Sequence, residues 1–96
     1  MDDSFAWDEY KNQENQQKHG VSFQAAQFAF TDPHLLILRD ERHSTLEEER
    51  FYAIGRIEGG IVTVRFTMRN QQIRIFGAGF WRKYRARYLK QASIIS

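Results

Sequence analysis

Five arginines are spaced so that their side chains can share one face of a β-sheet. Between residues 50 and 77, apolar and polar side chains alternate with the period of two that a strand requires. One face then carries arginines and aromatic rings, namely Arg50, Tyr52, Arg56, Arg65, Arg69, Arg74 and Phe76. Because guanidinium groups bind phosphate oxygens in pairs, this face predicts a surface for a polyanion. The alternative is a solvated face that carboxylates from elsewhere neutralise in part.

The chemistry that such a face can support without a metal is cleavage of RNA by the ribose 2′-hydroxyl group. The sequence has no cysteine and no metal, P-loop or dinucleotide motif, and its three histidines stand singly, so neither a metal nor a cofactor is expected. In this reaction the protein orients the sugar–phosphate, neutralises the charge on the phosphorane and moves protons.

Within this reaction, we expect Arg65 and Arg74 to bind the scissile phosphate and His19, near a helix end, to carry a proton. A capping or surface role for this histidine is the alternative. Positively charged or aromatic side chains elsewhere are expected to position the RNA, namely Lys18, Arg50, Tyr52, Arg56, Arg69, Arg82 and Lys83.

Three strands joined by two tight turns are predicted to hold these residues. A first turn with Gly59 and Gly60 as its loop residues would pair Ile57 with Val62 and would place Arg50 opposite Arg69. A second turn at Asn70-Gln71 would pair Met68 with Ile73 and Phe66 with Ile75. The face opposite the arginines is then a core made of Phe51, Ala53, Ile57, Val62, Val64, Phe66, Met68, Ile73 and Ile75.

The remaining elements flank this sheet and complete a single α+β domain over residues 1–96. We expect a short edge strand, two N-terminal helices, a largely antiparallel sheet of about four strands and a C-terminal basic helix. Caps, breakers and apolar spacing assign them in order: strand Phe5-Ala6-Trp7, helix 9–18 after Asp8 and before Gly20, a helix from Ser22 to Asp32-Pro33, a buried strand within His34–Arg39, a charged solvated loop from Asp40 to Glu49, and a helix with Phe80, Trp81, Tyr84, Tyr88 and Leu89 on its apolar face.

Charge is divided unevenly along the chain. Residues 1–58 contain all 12 acidic residues and six basic ones, whereas residues 59–96 contain eight basic residues and no acidic one. This asymmetry favours contact between the basic half and nucleic acid. The acidic start and the lack of a long apolar run predict a cytoplasmic protein with no membrane association.

Motifs along most of the chain carry a family resemblance. They are Trp7-Asp8, Lys11, Asn15, Lys18-His19-Gly20-Val21-Ser22-Phe23, Asp32-Pro33, Asp40, His43-Ser44, Glu48-Glu49-Arg50, Ile54-Gly55, Val64, Thr67 and Ile73-Arg74-Ile75. Over roughly residues 5–90 the sequence resembles the BrnT-type toxins, which are similar to the RelE-like toxins of bacterial type II toxin–antitoxin systems. The positions that match the family pattern include Lys18, His19, Glu49, Arg50 and Arg74, whereas Arg65 and Arg69 rest on the sheet face alone.

The resemblance implies a toxin that cleaves RNA, stops translation and is neutralised by a DNA-binding antitoxin in a hetero-oligomer. Such a complex typically represses its own operon, so the toxin meets operator DNA only through the antitoxin. Many members have Ser-Ala-Arg and another basic residue where this chain has Gly77-Ala78-Gly79-Phe80. This departure implies weaker activity, use of Arg82 or Lys83 instead, or another target. The alternatives are an inactive RNA- or DNA-associated module that acts with an antitoxin as an autoregulator, and a basic protein-interaction domain.

Overall fold

A five-stranded mixed sheet with helices on both faces forms the frame of the computed structural model, which describes residues 4–95; the acidic start Met1-Asp2-Asp3 and Ser96 lie outside the described residues. The elements are β1 (Phe5–Ala6), α1 (Glu9–His19), α2 (Phe23–Ala26), a 3₁₀ helix (Gln27–Thr31), β2 (Leu36–Arg39), β3 (Arg50–Ile57), β4 (Gly60–Arg69), β5 (Gln72–Gly79) and α3 (Arg82–Ile95). The predicted α+β class is therefore confirmed. The second predicted helix differs, because it changes to 3₁₀ geometry after four α-helical residues.

The strand order in the sheet is β1-β5-β4-β3-β2. The prediction of about four sheet strands is wrong, because β1 joins the same sheet and pairs in parallel with β5, where Phe5 lies beside Ile73. All other neighbouring strands are antiparallel. The prediction that β2 is buried is also wrong: β2 lies at the sheet edge, and Ile37 is 50% exposed.

The turn between β3 and β4 uses Glu58 and Gly59 as its loop residues, so Ile57 pairs with Gly60. The predicted register is therefore wrong by two residues. A shift of two keeps each side chain on its predicted face, because side chains alternate along a strand. It also removes the predicted like-charge contact, since Arg50 lies opposite Thr67.

The turn between β4 and β5 has the predicted residues. Asn70 and Gln71 both adopt positive φ angles, 54° and 66°. Such angles suit a two-residue hairpin turn, although they disfavour glutamine. The pairing of Met68 with Ile73 is confirmed.

The predicted core face packs against the residues from Val21 to the 3₁₀ helix. Its buried residues are Ala53, Val62, Val64, Phe66 and Ile75, which meet Val21, Phe23, Ala26 and Ala29. At Gly55 the packing is close enough that a Cβ atom would lie 2.7 Å from the carbonyl oxygen of Ala29. Met68 does not belong to this core, because it lies near the hairpin end and is 52% exposed.

The opposite face of the sheet is covered in part by α3. Tyr88 packs on Ile54 and Ile61, and all three are buried. Tyr84 stacks on Tyr52 with ring centroids 4.7 Å apart. The predicted apolar face of this helix is only partly correct, because Phe80 and Trp81 precede α3, and Phe80 and Leu89 are 44% and 37% exposed. The rest of this sheet face is left open for the arginines.

Helix α1 begins and ends as its caps predict. The Asp8 side chain accepts a hydrogen bond from the Lys11 amide at 3.2 Å, and Gly20 ends the helix with a φ of 71°. Its buried contacts are made by Asn12 and Asn15, whereas Tyr10 is 71% exposed. Polar side chains, not an apolar stripe, therefore hold this helix to the sheet. Within residues 4–95, the helices are all too short or too polar to span a membrane.

Candidate nucleic-acid interface

A cavity of about 400 Å³ opens between one side of α1 and the arginine-bearing face of β3, β4 and β5. We call it the arginine cavity. Its wall carries six cationic side chains and one histidine, namely Lys11, Lys18, His19, Arg50, Arg65, Arg69 and Arg74. The carboxylates of Glu14 and Glu48 also line it, so positive charge exceeds negative charge. A concave site of this sign attracts phosphate groups.

A β-bulge shapes the floor of this cavity. Ile75 pairs with Phe66 and Gly77 pairs with Arg65, which leaves Phe76 as an extra residue in β5. The ring of Phe76 packs against two guanidinium groups, with the Cζ atoms of Arg50 at 4.7 Å and Arg65 at 5.3 Å from its centroid. These cation–π contacts hold two positive charges against one aromatic ring.

Gly77 lets the Arg65 side chain lie close to the backbone of β5. A Cβ atom at Gly77 would meet the Arg65 Cδ atom at 3.4 Å. The Arg65 Nε atom is buried, and no hydrogen-bond partner is found for it within the described part of the chain. A buried donor without a partner costs free energy, and such donors in native structures often belong to functional sites.

The four arginines of the cavity differ in how they are paired. Glu48 accepts hydrogen bonds from Arg50 Nε at 3.0 Å and from an Arg69 terminal nitrogen at 3.3 Å. Over residues 4–95, no ion pair within 4.0 Å involves Arg65 or Arg74, and both are half-buried. These two side chains are therefore the ones available to an anion.

His19 reaches the cavity from the C-terminal end of α1. Its ring packs edge-on against Trp81 with centroids 5.3 Å apart, and the side chain stays exposed. His19 can thus donate or accept a proton in the cavity that the arginines line.

Four predicted RNA-contacting residues lie outside the arginine cavity. Tyr52 lines a second cavity beside it, and its pKa is raised to about 12 by a hydrogen bond with Tyr84 and by burial, so the phenol stays protonated at neutral pH. The Arg56 guanidinium lies 5.9 Å from the Tyr88 ring, under α3. Arg82 and Lys83, at the exposed start of α3, line neither cavity.

Several residues of the cavity wall were missed as site residues at the sequence level, and Lys11, Glu48 and Trp81 matter most for the site. Lys11 is seven residues before Lys18, a spacing that places both on one side of a helix and that could have revealed it. Glu48 belongs to a charge run assigned to a solvated loop, yet it is half-buried between two arginines. Trp81 was assigned to the core, but its half-buried ring lines both cavities.

The ring of Trp81 fills the space beside Gly79. A Cβ atom at Gly79 would lie 2.7 Å from the Trp81 Cζ2 atom. A larger residue at this position therefore requires the ring to move, which gives a physical reason for the Gly77-Ala78-Gly79 sequence next to a tryptophan. Within residues 4–95, no group of three or more histidine and carboxylate side chains is arranged to hold a metal ion.

Comparison with protein families identifies a match over most of the chain. The model of the family described as the ribonuclease toxin BrnT of type II toxin–antitoxin systems matches residues 7–84 of the chain. This range begins just after β1 and includes α1 to β5 and the first residues of α3, and therefore every residue of the arginine cavity. A search of curated proteins found no match.

Proposed function

Because the chain belongs to the BrnT family of ribonuclease toxins of type II toxin–antitoxin systems, we propose that it cleaves RNA at the arginine cavity without a metal ion. The observation that carries this proposal is the convergence of six cationic side chains and His19 on one cavity of about 400 Å³. In the proposed reaction the ribose 2′-oxygen attacks the adjacent phosphorus and the 5′-oxygen leaves. Loss of RNA then stops translation.

Arg65 and Arg74 bind the scissile phosphate in this proposal. They are half-buried and have no carboxylate partner among the described residues, unlike Arg50 and Arg69. Two planar guanidinium groups can contact the non-bridging oxygens and neutralise the charge that develops in the transition state. The buried, unpartnered Nε of Arg65 supports a functional role for this side chain, whose terminal nitrogens would contact the phosphate.

His19 carries a proton in this site. Its exposed ring lies against Trp81 in the cavity wall, where it can reach an oxygen of a bound phosphodiester. Lys11, Lys18, Arg50 and Arg69 hold the flanking phosphates, and Trp81 offers an aromatic surface to a base. Contacts of Arg56, Arg82 and Lys83 with RNA would lie outside the cavity.

Membership of this family also implies a protein partner, the antitoxin. An antitoxin neutralises the toxin, and we propose that the two form a hetero-oligomer that binds operator DNA through the antitoxin alone. Residues 1–96 act as one toxin domain, and the RNA substrate is met in the cytoplasm. The basic surface of the arginine cavity is the part of the chain that a neutralising partner has to cover or distort.

The test is cleavage of RNA by the purified chain in the presence of a metal chelator. We expect products with a 2′,3′-cyclic phosphate and a 5′-hydroxyl end. Arg74→Ala should lower kcat/KM by about 10²–10³-fold, the usual cost of removing one charge-stabilising group. Arg87→Ala removes an exposed arginine of α3 that lines neither cavity, and should leave the rate unchanged.

Induced expression provides the matching test in cells. Growth arrest is expected for the wild-type chain, and either Arg74→Ala or co-expression of the antitoxin should relieve it. If the chain shifts the mobility of RNA but leaves it intact, it is a binding module, and the nuclease proposal is wrong.

A further inference from the structure

A second cavity, of about 280 Å³, adjoins the arginine cavity. Arg65 and Trp81 lie in the walls of both cavities. His19 lines the first cavity only, and His43 lines the second only. A phosphate held by Arg65 would thus bind where two adjoining cavities meet, and each of these cavities has one histidine in its wall.

The ring of His43 is held by a buried carboxylate. Its Nδ1 atom lies 2.8 Å from Oδ2 of Asp40, and its backbone amide donates to Oδ1 at 3.2 Å. The Asp40 side chain is 5% exposed, whereas the His43 side chain is 46% exposed. One edge of the imidazole is therefore fixed, while the remainder is open to solvent and to the second cavity.

Asp40 is itself fixed to the strand that carries Arg50. Its backbone amide donates to the Arg50 carbonyl at 2.7 Å, and the Ser44 hydroxyl group donates to the Asp40 carbonyl at 2.7 Å. The Arg50 amide donates back to the Ser44 oxygen at 2.9 Å. The loop from Asp40 to Arg50 is thus closed at its base, which fixes His43 relative to β3.

The carboxylate determines which ring nitrogen carries the proton. Burial raises the pKa of the Asp40 carboxyl group. Hydrogen bonds from the ring and backbone of His43 lower this pKa by more than burial raises it, so it lies below its ordinary value. Asp40 is therefore ionised at neutral pH and accepts the Nδ1 proton of His43. In the neutral ring, the lone pair is then on Nε2, the nitrogen that does not face Asp40.

We propose that His43 is the general base of the RNA cleavage reaction and that Asp40 is its positioning residue. This inference rests on the proposed ribonuclease function and deepens it. His43 Nε2 takes the proton of the ribose 2′-hydroxyl group, and the 2′-oxygen forms a bond to the phosphorus atom held by Arg65. The bond from phosphorus to the 5′-oxygen then breaks, and protonated His19 gives its proton to that oxygen. The products are a 2′,3′-cyclic phosphate and a 5′-hydroxyl end.

His43→Asn separates the two roles of the ring. The asparagine amide can still donate to Asp40 from about the position of Nδ1, but it has no counterpart of Nε2. We expect RNA cleavage to fall about 10²–10⁴-fold, the usual contribution of a general base. Binding of an RNA with a 2′-deoxy residue at the cleaved position should be unchanged, and added imidazole should restore part of the rate.

Asp40→Asn tests the positioning role. The amide can donate to Nδ1, which would move the ring proton to Nε2 and block the base. The limb of the pH–rate profile that reports His43 should therefore change, whereas a purely structural defect would scale the whole profile. The other charged or titratable groups facing His43 in its cavity are Arg65, Tyr52 and Tyr84.

The control is His34→Asn. His34 also lies near a buried aspartate, with its Nδ1 atom 3.9 Å from Oδ1 of Asp32, but it lines neither cavity. A substrate with a 5′-bridging sulfur, which leaves without a proton, separates acid from base: it should rescue His19→Ala but not His43→Asn. The base assignment is overturned if His43→Asn cleaves as fast as His34→Asn, or if the sulfur substrate rescues it. Failure of the wild-type chain to cleave RNA would instead overturn the proposed function itself.

Discussion

Asn15 and Ala78 exchange two hydrogen bonds across the contact between α1 and β5. The Asn15 Nδ2 atom donates to the Ala78 carbonyl at 2.9 Å, and the Ala78 amide donates to Asn15 Oδ1 at 3.1 Å. Nδ2 also donates to the Val21 carbonyl at 3.0 Å. One buried side chain thus satisfies three backbone groups and places the end of α1, with His19, over the arginine cavity.

Replacing Asn15 by alanine should destabilise the fold and disturb the site together. The Ala78 amide and two carbonyl groups would lose their buried partner, which costs about 2–4 kcal/mol in free energy of unfolding. Chemical denaturation measures this change, and RNA cleavage should fall because α1 loses its anchor. Gln13→Ala, at an exposed position of the same helix, is the control. Equal stability of the two variants would contradict the anchoring role.

Replacing Glu48 by glutamine should strengthen RNA binding. Glu48 accepts from both Arg50 and Arg69, so its charge competes with phosphate for two guanidinium groups. With both arginines released, we expect the affinity for RNA to rise by about threefold to tenfold. The slope of log K against the logarithm of salt concentration should become steeper by about 0.7 for each new phosphate contact. Fluorescence anisotropy with a non-cleavable RNA at several salt concentrations measures both quantities.

Glu47→Gln is the matched control for this change, because it alters net charge by the same amount at an exposed neighbouring position. An equal gain in affinity for both variants would mean that only net charge matters, and that the ion pairs of Glu48 do not hold the arginines back.

Acid should weaken the contact between Tyr88 of α3 and Asp32, the residue that follows the 3₁₀ helix. Asp32 accepts hydrogen bonds from the Tyr88 hydroxyl group at 2.5 Å and from the Arg56 amide at 2.6 Å. Burial raises the pKa of the Asp32 carboxyl group. These hydrogen bonds, together with one from the His34 amide, lower the pKa by more than burial raises it, so it lies below its ordinary value of 3.8. The pKa of Asp32 is lower in the folded chain than in the unfolded chain. The ionised carboxylate therefore stabilises the fold above pH 3.8, and this stabilisation is lost as the pH falls through the folded-state pKa.

Asp32→Asn measures this contribution. At pH 7 the substitution should lower the free energy of unfolding by about 1.5–3 kcal/mol, the range for hydrogen bonds to a charged acceptor. The difference between wild type and variant should shrink as the pH falls below about 4. Glu58→Gln, at an exposed turn, should show neither effect. A difference that stays constant down to pH 2 would contradict the assignment.

Alternation along the strands made the two sheet faces predictable, because a period of two fixes the face of every residue in a strand once one residue is placed. The correctly predicted pairing of Met68 with Ile73 then puts Arg65 and Arg74 on the same side. The same property explains the wrong register at the Glu58-Gly59 turn, since a shift by two residues leaves every face unchanged. Capping residues were reliable because each, such as Asp8 or Gly20, acts on the neighbouring backbone alone.

The parts that could not be predicted depend on contacts between distant segments. Asn15 looks like any polar helix residue until Ala78, 63 positions later, lies beside it. Glu48 looks like part of a solvated run until Arg69 approaches from another strand. The pairing of Asp40 with His43 is local, but its relation to Arg65 exists only in the folded sheet. Local patterns therefore indicate faces and ends, whereas the site needs the tertiary arrangement.

Gly79→Ala should displace Trp81 and damage both cavities, because a Cβ atom at residue 79 would lie 2.7 Å from the indole ring. We expect a loss of about 1–3 kcal/mol in free energy of unfolding, a change in tryptophan fluorescence and slower RNA cleavage. In a chain that already carries Trp81→Ala, the same substitution should cost little, since the clashing ring is gone. A double-mutant cycle by chemical denaturation should then give a coupling energy above about 1 kcal/mol. A coupling near zero would mean that Gly79 is needed for a reason unrelated to Trp81.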